Sequence, residues 1–275
     1  MQYLIKNARY VMKLVGRSLW VYALIWGVVY PDLTHGEALN TDIIHEGVHW
    51  ECMTDRGAVH VWAPFYYQRE SAGVVVFVHG YSVNVDDAWA NLGLAEQFQM
   101  SKRNAVFIVP EAPSDQSEAV TWPTLGSLRQ AIRQCELYLP SGYWTVIGHS
   151  GAYRTLQGWV DDRQVRHFIL LDALYARHKR FKRFLERRNT KMTLVSTETS
   201  ETSRAFSEQF SYVVKRSDIP SHFRDFTPRE RRSRLLYLKS QYNHWTLVTN
   251  KKVIPMTLRL TKLHPVYINQ SRRDE

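Results

Sequence analysis

The sequence predicts an α/β chain built on a doubly wound, mostly parallel sheet, with an antiparallel hairpin ahead of it. Two observations carry this. Short apolar, β-branched runs recur along the chain with helical patterns between them, which is the alternation of a parallel sheet covered on both faces. Before them lie two amphipathic strands around a four-residue turn. At 275 residues one large domain is the simplest count, and 44% hydrophobic content is ample for a core.

The hairpin spans Val48 to Met53 and Ala58 to Ala63, joined by Thr54-Asp55-Arg56-Gly57. Val74 to Val78 is a continuous apolar run, as expected of a strand buried on both faces, and it ends in His79-Gly80-Tyr81-Ser82. A helical pattern follows from Ala88 to Met100, then a strand from Ala105 to Val109. Leu125 to Leu139 reads as a helix with Leu128, Ile132, Cys135 and Leu139 on one stripe. A third buried strand ends at Gly148-His149-Ser150-Gly151-Ala152, and Tyr153 to Val160 reads as the next helix. Phe168 to Leu171 is a strand that ends in Asp172. Helix Phe181 to Arg188, strand Met192 to Val195 and strand Leu235 to Leu238 complete the pattern, and Tyr242-Asn243-His244-Trp245 follows the last. Tyr81, Ser150, Asp172 and His244 all lie just past predicted strand ends, where open parallel sheets bind ligands.

Ser150 is the most informative of these. Strand, tight turn and helix in that order form a nucleophile elbow, which lifts a serine hydroxyl above the sheet edge. Small residues at Gly148, Gly151 and Ala152 let strand and helix approach closely. Alanine at 152 stands where the usual G-x-S-x-G pattern has glycine. The competing reading is an ordinary strand-to-helix turn with a buried hydroxyl.

With the hairpin, the His-Gly turn and the elbow, the chain resembles an α/β-hydrolase over roughly residues 46–265. The segment from His79 to Ala88 resembles the H-G-Y-N turn of a bacterial group of that superfamily, with Ser82 in place of asparagine. The resemblance implies a serine nucleophile, then an acid, then a histidine in chain order. Ser150 needs a base, and the base needs an orienting carboxylate. The histidine follows the last core strand in this fold. His222, His244 and His264 come late enough, and only His244 follows a predicted strand by a short loop. The acid is Asp172 or, one strand later as in most of the superfamily, Glu198 or Glu201. Asp172 follows two leucines, where a lone carboxylate is costly unless paired; its other reading is a helix N-cap. The backbone N–H groups of Gly151 and Tyr81 are the expected oxyanion donors. These roles imply cleavage of an ester, small or lipid-like, without a cofactor or metal. An amidase or peptidase on the same triad, and a non-catalytic binding protein of the same fold, are the alternatives.

The net charge is +10, with many cations between Arg163 and Arg188. On a helix these form a solvated face, or one drawn to an anionic envelope surface. No recognition motif points to nucleic acid. Leu19 to Tyr30 is an apolar run preceded by Lys6, Arg9, Lys13 and Arg17, which reads as an export signal cleaved after Ala38. An uncleaved inner-membrane anchor and an amphipathic helix are the other readings of residues 1–38, leaving 39–275 as the hydrolase domain. A secreted or periplasmic location is expected. Cys52 and Cys135 are expected to be two buried free thiols, with a disulfide between them the alternative in an exported protein.

Overall fold

The computed structural model describes residues 39–176 and 178–266, so the expected leader or anchor at 1–38 lies outside the described residues. Three N-terminal strands, β1 (Leu39–Ile44), β2 (Gly47–Thr54) and β3 (Gly57–Pro64), are antiparallel to one another. The core strands are β4 (Gly73–Val78), β5 (Ala105–Pro110), β6 (Trp144–His149), β7 (Val165–Leu171) and β8 (Lys191–Ser196). Two more follow, β9 (Val213–Arg216) and β10 (Leu235–Lys239). They form one sheet in the order β1-β2-β3-β5-β4-β6-β7-β8-β10-β9. β3 meets β5 antiparallel, and from β5 to β9 every pairing is parallel.

Every residue of β4, β5 and β6 is buried, which is why these strands are runs of apolar residues without alternation. One face packs on helices α1 (Val85–Asn91), α2 (Leu94–Ser101) and α9 (Val253–Arg259), through Ala88, Phe98 and Leu258 against Val75, Phe77 and Ile147. The other face packs on α3 (Leu125–Gln134), α5 (His178–Glu186) and α6 (Ser200–Ser207), through Ile132, Phe184 and Phe206 against Val76, Val146 and Phe168. Shorter helices are α4 (Tyr153–Leu156), α7 (Pro228–Arg232) and α8 (Thr246–Thr249). No helix among the described residues is long and apolar enough to cross a membrane.

Several elements differ from expectation. The single helix over Ala88 to Met100 is two, α1 and α2, broken where Gly93 takes a left-handed φ of 59°. The helix predicted to Leu139 stops at Gln134, and Glu136 turns the chain with φ 58°. The helix after the elbow closes after Leu156 into tighter turns, with Gly158 N–H and Trp159 N–H reaching back three residues. The early end of α3 at Gln134 places Cys135 beside β2. Cys52 and Cys135 form a disulfide with Cα atoms 6.0 Å apart, so the expectation of two free thiols is corrected.

At the end of the sheet where the parallel strands begin, cations donate to backbone carbonyls, though Nε of Arg103 and of Arg234 is buried without a partner among the described residues. Arg103 donates to Leu263 O and Arg259 O, Arg187 to Val160 O and Val165 O, Lys191 to Arg231 O and Leu260 O, and Arg234 to Leu185 O and Arg187 O.

Three buried histidines are held neutral. His49 hydrogen-bonds His60 at 2.9 Å and stacks on Trp89; burial, then His60, lowers its pKa to about 4. Burial, then His244, lowers His149 to about 3, and burial takes His167 well below its ordinary value. Below the unfolded pKa of about 6.5 the unfolded chain binds protons at these sites that the native chain refuses, so native stability falls with pH. The histidine contribution is complete above about pH 6.5 and is lost progressively towards about pH 3. Thermal melting across this range should show Tm dropping below pH 6, before most carboxylates titrate. A flat Tm between pH 7 and 5 would contradict it.

Candidate active site

The carboxyl ends of β6, β7 and β8 and the loop after β10 build the site. Ser150 follows β6 directly with φ 52°, a left-handed conformation that costs a non-glycine residue about 1–3 kcal/mol. Close packing enforces it. A Cβ on Gly148 would lie 2.5 Å from Leu156 Cδ2, and one on Gly80 would lie 2.7 Å from the Ser150 Cβ. The same hypothetical Gly148 Cβ would sit 3.2 Å from the Ala152 Cβ, so a methyl at 152 is accommodated only because 148 is glycine.

Asp172 follows β7, also with a left-handed φ of 50°, and is fully buried. Its Oδ2 accepts from His244 Nδ1 at 2.8 Å and from the Glu198 N–H at 3.1 Å. Its Oδ1 accepts from the N–H groups of Thr197 (3.0 Å) and Thr199 (2.8 Å) and from the Thr199 hydroxyl (2.7 Å). Burial alone would raise the pKa. The bonds from His244, Thr199 and Thr197 outweigh it and hold the carboxyl well below the usual carboxylate range. The N–H at Nδ1 of His244 leaves Nε2 as the basic nitrogen.

Of the three candidate acids, Asp172 is the one within hydrogen-bonding distance of His244. The exposed Glu198 carboxylate is 3.7 Å from His244 Nδ1 and accepts from the Tyr175 hydroxyl at 3.3 Å. Glu201 is exposed in the first turn of α6. His222 is exposed beside Asp225, at 3.5 Å. His264 lies at the far end of the strands, where its carbonyl accepts from Asn104 N–H ahead of β5. Asp172, Glu198 and His244 also offer ligand atoms within 4.8 Å of one another. Both Asp172 oxygens are already engaged by N–H and O–H donors, which suits hydrogen bonding rather than a metal ion.

Two further histidines hold backbone, as the His-Gly turn leads one to expect of His79. His149 is buried, packs its ring tilted against that of His244 with centroids 4.4 Å apart, and donates from Nε2 to the His244 carbonyl at 3.1 Å, so it holds the backbone of His244. His79 donates from Nδ1 to Gly80 O at 2.8 Å, and its Nε2 meets Ala112 N–H at 3.1 Å, which fixes the turn before Tyr81. The Tyr81 ring lies against Gly151, and Arg154 of α4 bonds its hydroxyl at 3.1 Å as well as Gln116 O and Glu118 O at 2.8 Å. The loops bearing Tyr81 and Gly151 therefore touch. Among the described residues no backbone carbonyl takes the N–H of either. A separate depression of 280 Å³, lined by Trp62, Tyr66, Phe98 and Met100 among others, contains none of these residues.

Asp172→Asn should slow turnover of a nitrophenyl ester by on the order of 10³–10⁴, because an amide at Nδ1 favours the wrong imidazole tautomer. Glu198→Gln should cost less than about tenfold. Steady-state kinetics of both variants would reveal the reverse ranking if the acid sits on the later strand.

No protein-family model and no curated protein matches the chain. Solved structures do. An S-formylglutathione hydrolase from Agrobacterium tumefaciens aligns over 82% of this chain and 100% of its own, at 8% identity and TM-score 0.51. A protein named FAE aligns over 86% of this chain and 96% of its own, at 12% identity and TM-score 0.52. With the antiparallel strands ahead of the parallel sheet, these matches give the chain the α/β-hydrolase fold.

Proposed function

We propose that the chain is a serine hydrolase that cleaves a carboxylic ester through an acyl-enzyme on Ser150, with His244 as base and Asp172 as orienting acid. The observation that carries it is the hydrogen bond between buried Asp172 and part-buried His244 at the same sheet edge as a serine in a strained elbow. In the first half, the Ser150 oxygen attacks the carbonyl carbon and His244 Nε2 takes its proton. The N–H groups of Tyr81 and Gly151 receive the charge that develops on the carbonyl oxygen. The carbon–oxygen bond of the leaving group then breaks, and His244 returns the proton to the departing alcohol. Water repeats the sequence on the acyl-enzyme and frees the acid. Asp172 keeps the imidazole in one tautomer and offsets its transient positive charge. The hydrolase similar in fold supports the class, and an ester is favoured because an alkoxide leaves more readily than an amine.

A fluorophosphonate probe should add one adduct mass to the intact protein, and Ser150→Ala should take none. The same variant should lose at least roughly a thousandfold in turnover of a short-chain nitrophenyl ester. Labelling of the variant, or its undiminished turnover, would remove Ser150 from the mechanism.

We also propose that the domain works outside the inner membrane. The apolar, cation-flanked run over residues 19–30 supports this, and so does the Cys52–Cys135 disulfide, since such bonds persist in oxidising compartments. Protein recovered from the envelope of its host should carry no free thiol and should begin near Leu39 if the leader is cleaved. Cytoplasmic recovery with Met1 retained and two titratable thiols would refute export.

A further inference from the structure

Tyr175 stands beside the nucleophile without a part in the triad chemistry. It is three residues past Asp172, on a segment pinned where Thr202 Oγ1 of α6 donates to Leu174 O at 2.9 Å. Its ring packs 5.9 Å from Tyr153, just past the elbow, and is 41% exposed. Its hydroxyl donates to Glu198 Oε2 at 3.3 Å and lies near Ser150. Glu198 is itself placed by its own N–H, which is bound to Asp172.

The direction of these bonds has a chemical consequence. A phenol has one proton to give. A carboxylate can only accept, so the Tyr175 proton is committed to Glu198. What the phenol turns towards Ser150 is therefore its lone pairs. Burial, then the charges of Asp172 and Glu198, pushes the phenol pKa up to about 12, so it keeps that proton at neutral pH. An oxygen that only accepts, fixed beside the nucleophile, favours a partner that donates. A donor on a substrate bound at Ser150 is such a partner.

We propose that Tyr175, oriented by Glu198, is a substrate-positioning residue that selects esters carrying a hydrogen-bond donor, a hydroxyl or an amide N–H, next to the scissile bond. This rests on Ser150 being the nucleophile. The substrate class it describes is polyol esters or esters of hydroxylated or amide-bearing acids rather than plain alkyl esters. A polar group left unpaired in a site built for it discriminates more strongly than a missing methylene.

The test compares two pairs that exchange a hydroxyl for a methyl. One is 2-hydroxyethyl butyrate against propyl butyrate, with the donor on the leaving group. The other is ethyl 3-hydroxybutyrate against ethyl 3-methylbutyrate, with the donor on the acyl side. The native protein should prefer the hydroxylated member of at least one pair by fivefold or more in kcat/KM. Tyr175→Phe should bring that ratio close to one. Glu198→Ala should lower it too, by freeing the phenol proton, with thermal melting of both variants showing the fold retained. A ratio that survives Tyr175→Phe, or a native protein that turns over neither hydroxylated ester preferentially, overturns the proposal. Fluorophosphonate labelling of the native protein separates the two levels. No label sinks the nucleophile assignment itself. Label together with an unmoved ratio sinks only the role of Tyr175.

Discussion

The buried charge of Asp172 is the constraint on which the rest of the site depends. A carboxylate with no exposure to water is tolerable only if its oxygens are fully engaged, and this one collects three backbone N–H groups, a hydroxyl and an imidazole. Each donor fixes something else. Thr197 and Thr199 fix the turn out of β8, and Thr199 leads directly into α6. Glu198 is fixed by its own backbone, with its side chain turned towards Tyr175. His244 is fixed by its ring at one end and, through His149, by its carbonyl at the other. Even the peptide of Asp172 participates, since its N–H binds Val195 O at 2.7 Å in the neighbouring strand and the residue keeps its left-handed φ.

The same arrangement explains why Asp172 and Glu198 were hard to tell apart as candidate acids. Both follow strand ends on the same edge, and chain order alone permits either. What separates them is that the turn carrying Glu198 spends its backbone donors on Asp172. That is a contact between residues 26 positions apart, and no local pattern reports it. The contacts of His149 and Tyr175 cannot be read from spacing for the same reason: their partners at 244 and 198 are distant in sequence. Ser150 was legible because a strand, small residues and a turn stand next to one another in the chain.

For the fold, legibility followed burial. Strands covered on both faces are apolar throughout and stand out, as β4, β5 and β6 do. The edge strands β1 and β9 carry polar residues towards solvent and gave no signal. The hairpin between β1 and β2 turns on His45 and Glu46, both with positive φ, where glycine or asparagine would have marked the turn. The cysteine pairing was obscured by a helical stripe extended one turn too far. Once α3 ends at Gln134, Cys135 is its cap and turns towards β2 instead of remaining on that stripe.

The cations at the start of the parallel strands have a consequence of their own. Arg103, Arg187, Lys191 and Arg234 are anchored to carbonyl oxygens, several of them at helix ends, rather than to carboxylates. Carbonyl dipoles satisfy hydrogen bonds and the field near a helix terminus, but they cancel no net charge. The like charges are felt: Arg259 depresses the Arg103 pKa and Lys262 that of Lys191, in each case after burial. At this end the repulsion between Arg103 and Arg259 and between Lys191 and Lys262 is therefore of the kind that dissolved ions screen, so the surrounding electrolyte acts on the packing there as the carbonyl dipoles cannot.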